Sequence, residues 1–184
     1  YKNNVDAKVN TAVKQAIQAE DTKQAALFAG EEKSPFRTYQ GPAAYGSIMV
    51  KYPKTWSAYV IDGRNSSPYI DGYFYPNTVP DTQAQSSAFA LRIQVVDQSY
   101  SDALTLASSA VETGQATVAP YSLPNVTSIV GAKIEGQLAT TTSQKSGTMV
   151  ILPLRNMTLE IWTESTTFED DFQKIILKNF TFAP

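Results

Sequence analysis

The sequence predicts an α+β protein in which an N-terminal helix precedes a domain rich in β-strands. The N-terminal segment repeats small apolar residues at helical spacing, whereas the rest of the chain is rich in Tyr, Thr, Ser, Val and Ile, with frequent Pro and Gly. Two further segments with helical spacing lie within and after the predicted strands. At 184 residues, the chain is long enough to build a core that is stable without disulfides.

Residues 1–33 are predicted to form the N-terminal helix, because small apolar residues recur every three or four positions. These residues are Val5, Val9, Ala12, Ala16 and Ala19. Lys23 interrupts the stripe, and Gly30 followed by Ser34-Pro35 is expected to end the helix. The first residue is tyrosine, so we expect a segment upstream that supplies a membrane anchor or signal. The helix is then either a stalk or short coiled coil leading from that anchor, or a surface helix lying on the domain.

The main domain, residues 36–184, is predicted to begin with three strands. Their alternating apolar residues place them at Ser47–Tyr52, Ser57–Ile61 and Tyr69–Tyr75. Pro53-Lys54 is a turn signal, so we expect the first two strands to pair as a hairpin. The polar segment Asp62–Pro68 is predicted to be a loop, and Pro76 to end the third strand.

Phe89–Asp97 has the clearest strand pattern in the chain. One face carries Phe89, Leu91, Ile93 and Val95, and the other carries Arg92 and Gln94. Ser99, with Asp102 three residues on, predicts a capped helix that ends at Gly114.

Three more strands and a helix are predicted in the last third of the chain. The strands are Thr127–Leu138, Thr148–Leu154 and Met157–Thr163, the first two joined by a hairpin loop at Thr140–Gly147. The run Met149–Leu152 is apolar on both faces, which suits a central strand covered by helices on both sides. Thr167 and Asp170 predict the cap of a final helix whose shared apolar face includes Phe172 and Ile176.

The composition excludes several classes of function. The chain contains no histidine and no cysteine, the usual sources of general bases, thiolate nucleophiles and zinc ligands. We therefore expect no transition metal, no cofactor and no catalytic activity. The 15 Lys and Arg are scattered and the formal net charge is −2, so nucleic acid is not an expected partner. No 18-residue apolar run is present, so a membrane is expected only through the upstream segment.

The remaining candidates for chemistry have ordinary structural explanations. Glu169, Asp170 and Asp171 fall in the first turn of a predicted helix, where carboxylates favour the helix dipole. The carboxylates of Asp62, Asp71 and Asp81 flank loops without the spacing of a calcium site or a glycosidase pair. Trp56 and Trp162 are expected to pack in the core rather than to stack on a ligand.

The strand Tyr69–Tyr75 contains the candidate binding site. Alternation sends Ile70 and Phe74 to one face of the strand and four other residues to the opposite face. These four are Tyr69, Asp71, Tyr73 and Tyr75. If Ile70 and Phe74 face the core, the tyrosines form an exposed row of rigid amphipathic surface suited to recognition. If a helix covers this face, they are second-layer packing.

The order of these elements resembles the PsbP-like/Mog1 family. The resemblance covers Ala44–Phe182 and depends on a Tyr-Pro-x-x-Trp turn within Lys51–Trp56, the strand Ile161-Trp162-Thr163, and a helical end that closes with Asn179–Phe182. It implies an antiparallel sheet flanked by helices on both faces. It implies little about activity, because relatives include a photosystem-associated lumenal protein, a Ran-binding factor and bacterial membrane-anchored proteins of no known enzymatic role. The histidines that bind metal in some members have no counterpart here.

The function expected from these observations is that of a non-catalytic extracytoplasmic domain, membrane-anchored or exported, that binds a protein or glycan of the cell envelope. Two other classes are possible on the pattern. A pilin-like filament subunit also places a long N-terminal helix before an antiparallel sheet, although the capped C-terminal helix argues against it. A carboxylate-based hydrolase would require two facing carboxylates in a cleft.

Overall fold

A computed structural model describes the backbone of residues 2–139 and 145–184, and the side chains of residues 8–26, 34–139 and 145–184. The chain divides into two compact units, residues 1–35 and 36–184. The first unit is a single helix, α1 (Lys2–Lys33), which continues past the expected end at Gly30. The residues after Gly30 are Glu-Glu-Lys, which favour helix strongly enough to offset one glycine.

The described side chains of α1, residues 8–26, are exposed, including Val9, Ala12, Ala16 and Ala19 of the predicted stripe. The side chain of Val5 lies outside the described residues. In the part of the chain that the structure describes, no helix combines the length and the apolar character needed to cross a membrane.

The described part of the second unit contains nine strands. They are β1 (Phe36–Gln40), β2 (Met49–Pro53), β3 (Trp56–Ile61), β4 (Ile70–Pro76), β5 (Leu91–Val96), β6 (Ala116–Leu123), β7 (Val126–Leu138), β8 (Lys145–Leu154) and β9 (Met157–Trp162). β1 and β2 form a two-stranded sheet, and the other seven form one sheet in the order β3-β4-β5-β9-β8-β7-β6. Every pairing in both sheets is antiparallel.

Two short helices follow β5, namely α2 (Tyr100–Ala107) and α3 (Ser109–Glu112). The predicted cap of α2 is confirmed, because Ser99 Oγ accepts a hydrogen bond from the Asp102 N–H at 3.2 Å. The C-terminal helical segment joins a 3-10 turn at Thr166–Phe168, α4 (Glu169–Asp171), a π-helix at Phe172–Ile176 and a 3-10 turn at Leu177–Asn179. Its cap is Ser165, whose Oγ accepts from the Thr167 N–H, rather than the predicted Thr167.

Helical segments pack on both faces of the large sheet, as expected for the fold class. One face packs on the C-terminal segment through Phe172, Ile176 and Phe180, all fully buried. The opposite face packs on α2 and α3 through Ala103, Ala107 and Ala110. The prediction for Met149–Leu152 is confirmed, because Val150 and Leu152 belong to the first core and Met149 and Ile151 to the second.

The predicted hairpin of Ser47–Tyr52 with Ser57–Ile61 is wrong. β2 pairs with β1, while β3 pairs with β4, so the turn at Pro53-Lys54 leads from one sheet into another. Two strands were not expected from the sequence. β1 is short, and β6 contains Pro120, which a strand tolerates at a sheet edge.

The predicted loop Thr140–Gly147 is also shorter than expected, because β8 already begins at Lys145. Residues 140–144 lie outside the described residues.

Candidate functional site

The predicted tyrosine row is not an exposed surface. Asp71 and Tyr73 each expose only 8% of their area, and Tyr69 and Tyr75 are half-buried. Ile70 and Phe74 face the core as expected, but Tyr69 and Tyr75 also pack against that same core. The alternation therefore holds for the two central members, Asp71 and Tyr73, which are covered by a side chain from a neighbouring strand. A binding role for the row as a solvent-exposed patch is therefore excluded for its two central members.

Arg92, from the neighbouring strand β5, covers the middle of the row. Its Nη2 lies 2.6 Å from Asp71 Oδ1, and its Nε donates to the Gly72 carbonyl at 3.0 Å. The guanidinium lies 3.6 Å above the ring centroid of Tyr73. Gln94 also donates to Asp71 Oδ1 at 3.0 Å, and the Tyr73 hydroxyl donates to Oδ2 at 3.2 Å. Asp71 is therefore held by a charged donor and two neutral ones.

Glu164 continues the network beyond Arg92. Its Oε1 lies 3.6 Å from Arg92 Nη1 and accepts from Trp162 Nε1 at 3.2 Å. Its Oε2 accepts from Lys145 Nζ at 2.7 Å and from the Phe89 N–H at 3.1 Å. We call Asp71, Arg92, Lys145 and Glu164, with the rings of Tyr73, Phe89 and Trp162, the charged cluster.

The charged cluster balances two cations against two carboxylates. Buried carboxylates are tolerated when charge partners and hydrogen bonds replace water. Asp71 has one charge partner and two neutral donors, and Glu164 has two charge partners and two neutral donors. Burial raises the pKa of the Tyr73 hydroxyl above its ordinary value, so this group stays a donor to Asp71. Each charged group of the cluster therefore has its partner within the cluster, and none is left to bind an ion from solution.

The two ends of the tyrosine row pack on aromatic partners. Tyr69 stacks on Tyr45 with ring centroids 4.9 Å apart and nearly parallel planes. Tyr75 meets Phe168 edge to face at 5.5 Å, and Phe168 meets Trp56 in the same way at 6.2 Å. Tyr75 also lines a cleft.

This cleft has a volume of about 410 Å³ and lies where the segment after β4 meets the end of β9. It is lined by Tyr75, Pro80, Ser86, Ser87, Ala88, Ser165, Thr167 and Phe168. We call the cleft lined by these residues the hydroxyl cleft. None of the described residues in its lining carries a charge, so its chemistry is that of aromatic rings, one proline and hydroxyl groups.

The charged cluster fixes one wall of the hydroxyl cleft. Glu164 and Phe89 exchange two hydrogen bonds, one of them from the Glu164 N–H to the Phe89 carbonyl at 3.0 Å. Their chain neighbours Ser165 and Ala88 are lining residues of the cleft. A further bond within the cleft wall, from Ser87 Oγ to the Asp81 carbonyl at 2.7 Å, holds the segment after β4. Fixed polar groups around an aromatic floor are typical of binding sites for small neutral ligands.

Three other carboxylates singled out in the sequence, Asp62, Glu169 and Asp170, each have a partner of their own. Asp62 Oδ2 accepts from the Tyr39 hydroxyl at 3.0 Å, and Glu169 Oε1 accepts from Thr148 Oγ1 at 2.7 Å. Asp170 pairs with Lys174 at 3.1 Å on an exposed turn. Among the described residues, no three groups of the kind that ligate metals come together.

No sequence motif singles out Arg92, Lys145 and Glu164 as a unit. Trp56 and Trp162 each expose 3% of their area and pack internally, as expected. Phe89 does not face the core with Leu91 as predicted; its ring meets Tyr73 edge to face at 4.9 Å, within the charged cluster. The last strand carries a usable signal, because Glu160 and Trp162 lie on one face in register with Gln94 and Arg92. Glu164, two residues beyond Trp162, continues the same alternation just after the strand ends.

The fold and the site define an α+β domain with a neutral cleft supported by a buried, charge-balanced cluster. No family model matches the chain, and no curated protein matches it. Among solved structures, the fold is similar to the solution structure of cyanobacterial PsbP (CyanoP) from Synechocystis sp. PCC 6803. The TM-score is 0.44 and the sequence identity 12%, over 80% of this chain and 92% of that chain. A fold hosts many functions, so the function depends on the chemistry of the cleft itself.

Proposed function

We propose that this chain is a non-catalytic binding domain that acts outside the cytoplasm, at the cell envelope, and holds its partner in the hydroxyl cleft. The observation that carries the proposal is the lining of that cleft. Tyr75 and Phe168 offer ring faces and edges, and Ser86, Ser165 and Thr167 offer hydroxyl groups without any charge. An uncharged ligand rich in hydroxyl groups, a glycan chain, matches this chemistry best, because it stacks on rings and exchanges neutral hydrogen bonds.

The chain contains no cysteine, so no thiol would be oxidised in a compartment outside the cytoplasm. A protein partner from the cell envelope is the second form of the proposal, since a proline-bordered aromatic cleft also accepts an uncharged polypeptide segment.

The carboxylate arrangement favours binding over hydrolysis. A glycosidase needs two carboxyl groups that face a substrate across a cleft. Here the described lining of the hydroxyl cleft has no carboxyl group, and Asp71 and Glu164 are instead neutralised by Arg92 and Lys145 within the charged cluster.

The chain offers a matched pair of positions for the test. Thr166 and Thr167 are adjacent and both exposed, but only Thr167 lines the cleft. Neutral oligosaccharides, such as chito- and cello-oligosaccharides, are titrated into labelled protein while amide resonances are followed. We expect shifts around Ser86–Ala88 and Ser165–Phe168, lost in Thr167→Trp and kept in Thr166→Trp. If the oligosaccharides shift only resonances distant from the cleft, or none, the proposal that the partner is a glycan is wrong.

The protein form is tested separately with a photo-crosslinker at position 167 and, as the control, at position 166, in cell-envelope extracts. A crosslinked partner at 167 and not at 166 is the expected result. Equal crosslinking at both positions, or at neither, contradicts the protein form.

A further inference from the structure

The two edges of the seven-stranded sheet differ in how they are protected against pairing. The edge strand β6 contains Pro120, and its pairing with β7 is irregular between Tyr121 and Leu123. Proline and irregular pairing are standard means of blocking further strand addition. The other edge strand, β3, has the sequence Trp-Ser-Ala-Tyr-Val-Ile, with no proline and no charge within it.

The register of β3 with β4 shows which of its backbone groups face outward. The Asn77 N–H donates to the Thr55 carbonyl at 2.9 Å, which makes 55 and 77 a hydrogen-bonded pair. In an antiparallel ladder such pairs alternate, so Ser57, Tyr59 and Ile61 bond to β4, in register with Tyr75, Tyr73 and Asp71. The N–H and C=O groups of Trp56, Ala58 and Val60 therefore point away from β4.

No backbone hydrogen bond from the described residues reaches these outward groups beyond β3. Ala58 and Tyr59, at the middle of the strand, are exposed, and half of the Tyr59 surface is accessible. A short strand with unpaired backbone groups and an exposed aromatic side chain is a template for another strand.

We propose that a second copy of this chain adds its own β3 to this edge, antiparallel, with Ala58 opposite Ala58. Trp56 then lies opposite Val60 of the second copy, and Val60 opposite Trp56, so every outward N–H and C=O of the strand finds a partner. Tyr59 lies opposite Ser57 of the second copy, which gives its exposed ring a cross-strand contact.

The charges that flank β3 select this pairing. Around a two-fold axis at Ala58, Lys54 of each copy lies opposite Asp62 of the other, and both residues are exposed. A shift of the axis to Ser57 or Tyr59 preserves the backbone pattern but separates Lys54 from Asp62. Asp62 is also oriented, because it accepts the Tyr39 hydroxyl at 3.0 Å. Burial and the neighbouring Asp62 raise the pKa of Tyr39, which keeps that hydroxyl protonated.

The proposal is tested by measuring the mass of the full chain in solution by sedimentation equilibrium. We expect a reversible dimer. Lys54→Glu and Asp62→Lys should each weaken the dimer about tenfold, because each places like charges opposite one another at two symmetric positions. The double variant Lys54→Glu/Asp62→Lys should restore it, and Lys51→Glu, an exposed charge reversal on β2, should have no effect.

Ala58→Pro removes an outward donor from the middle of the edge while leaving the bonds to β4 in place, so it should also abolish the dimer. Its thermal unfolding is measured alongside, and the charge-reversal variants decide the question if it fails to fold. A chain that stays monomeric up to roughly 1 mM overturns the proposal. So does a dimer that is insensitive to the single reversals, or one that the double reversal does not restore.

Discussion

Arg92 and Asp71 form a nearly buried ion pair on adjacent strands, with Nη2 and Oδ1 2.6 Å apart and with 10% and 12% of their side chains exposed. Arg92 also reaches Glu164 with its other terminal nitrogen and covers the ring of Tyr73. One guanidinium thereby compensates two carboxylates and fills the space above an aromatic ring. We therefore expect the stability of this face of the sheet to depend strongly on Arg92.

Replacing Arg92 by leucine should destabilise the domain by about 3 to 5 kcal/mol, because Asp71 and Glu164 lose a buried charge partner at once. Urea unfolding followed by circular dichroism measures the loss. Arg37→Leu, an exposed arginine on β1, is the control and should change stability by less than about 0.5 kcal/mol. Equal stability of the two variants would mean that the charged cluster does not hold the face together.

Two substitutions of Tyr73 distinguish what its ring and its hydroxyl group each contribute to the stability of the domain. Tyr73→Phe removes only the bond to Asp71 and should cost about 1 kcal/mol, since Arg92 and Gln94 still hold that carboxylate. Tyr73→Ala also removes the ring that Arg92 and Phe89 contact and should cost about 3 to 5 kcal/mol. Thermal unfolding of both variants checks the order. A stable alanine variant would restore the interpretation of Tyr73 as an exposed recognition residue.

Local patterns predicted the parts of this fold that depend on local energies. The helix cap at Ser99 depends on residues close in sequence, and the burial of Leu91, Ile93 and Val95 follows from alternation within one strand. The pairing of strands does not follow from such local patterns. The segment Ser57–Ile61 has no local signal that distinguishes β2 from β4 as its neighbour, and a turn at Pro53-Lys54 is compatible with either.

The candidate site was only partly predictable for the same reason. The alternation from Ile70 to Phe74 is local and correct, but the burial of Asp71 and Tyr73 depends on Arg92, which is 21 positions from Asp71. Glu164 meets the Phe89 N–H across 75 positions of sequence. Such contacts are set by the order of strands in the sheet, which one sequence does not reveal. The hydroxyl cleft likewise brings together the segments near Pro80 and Ser165, neither of which has a distinctive motif.

Gly147 on β8 allows a close approach of two backbones. A Cβ atom at this position would lie 2.1 Å from the Thr163 carbonyl oxygen, well inside the contact distance. Gly147→Ala should therefore separate β8 from the end of β9 and destabilise the domain by about 1 to 3 kcal/mol. Chemical denaturation of this variant is compared with that of Ser146→Ala, its exposed neighbour. If both alanine variants unfold at the same denaturant concentration, the close approach is absent in solution.

We expect Glu160 to make the stability of the domain depend on pH between 4.5 and about 7. It lies on β9 in register with Gln94, exposes 6% of its area, and has no hydrogen-bond or ion-pair partner among the described residues. Gln94 donates to Asp71 instead. Desolvation raises the pKa of Glu160 from 4.5 to about 7. The folded state therefore retains a proton on Glu160 that the unfolded state has already released between these two pH values.

The sign of the effect follows from that difference in bound protons. The contribution of protonated Glu160 is fully present below pH 4.5 and is lost as the pH rises to about 7. The loss amounts to about 3 kcal/mol, at roughly 1.4 kcal/mol for each unit of pKa difference. In Glu160→Gln this fall should disappear, while Glu112→Gln, an exposed control, should keep it. The measurement is the free energy of unfolding in urea at intervals from pH 4.5 to 8. A fall of the same size in Glu160→Gln would assign the pH dependence to another group.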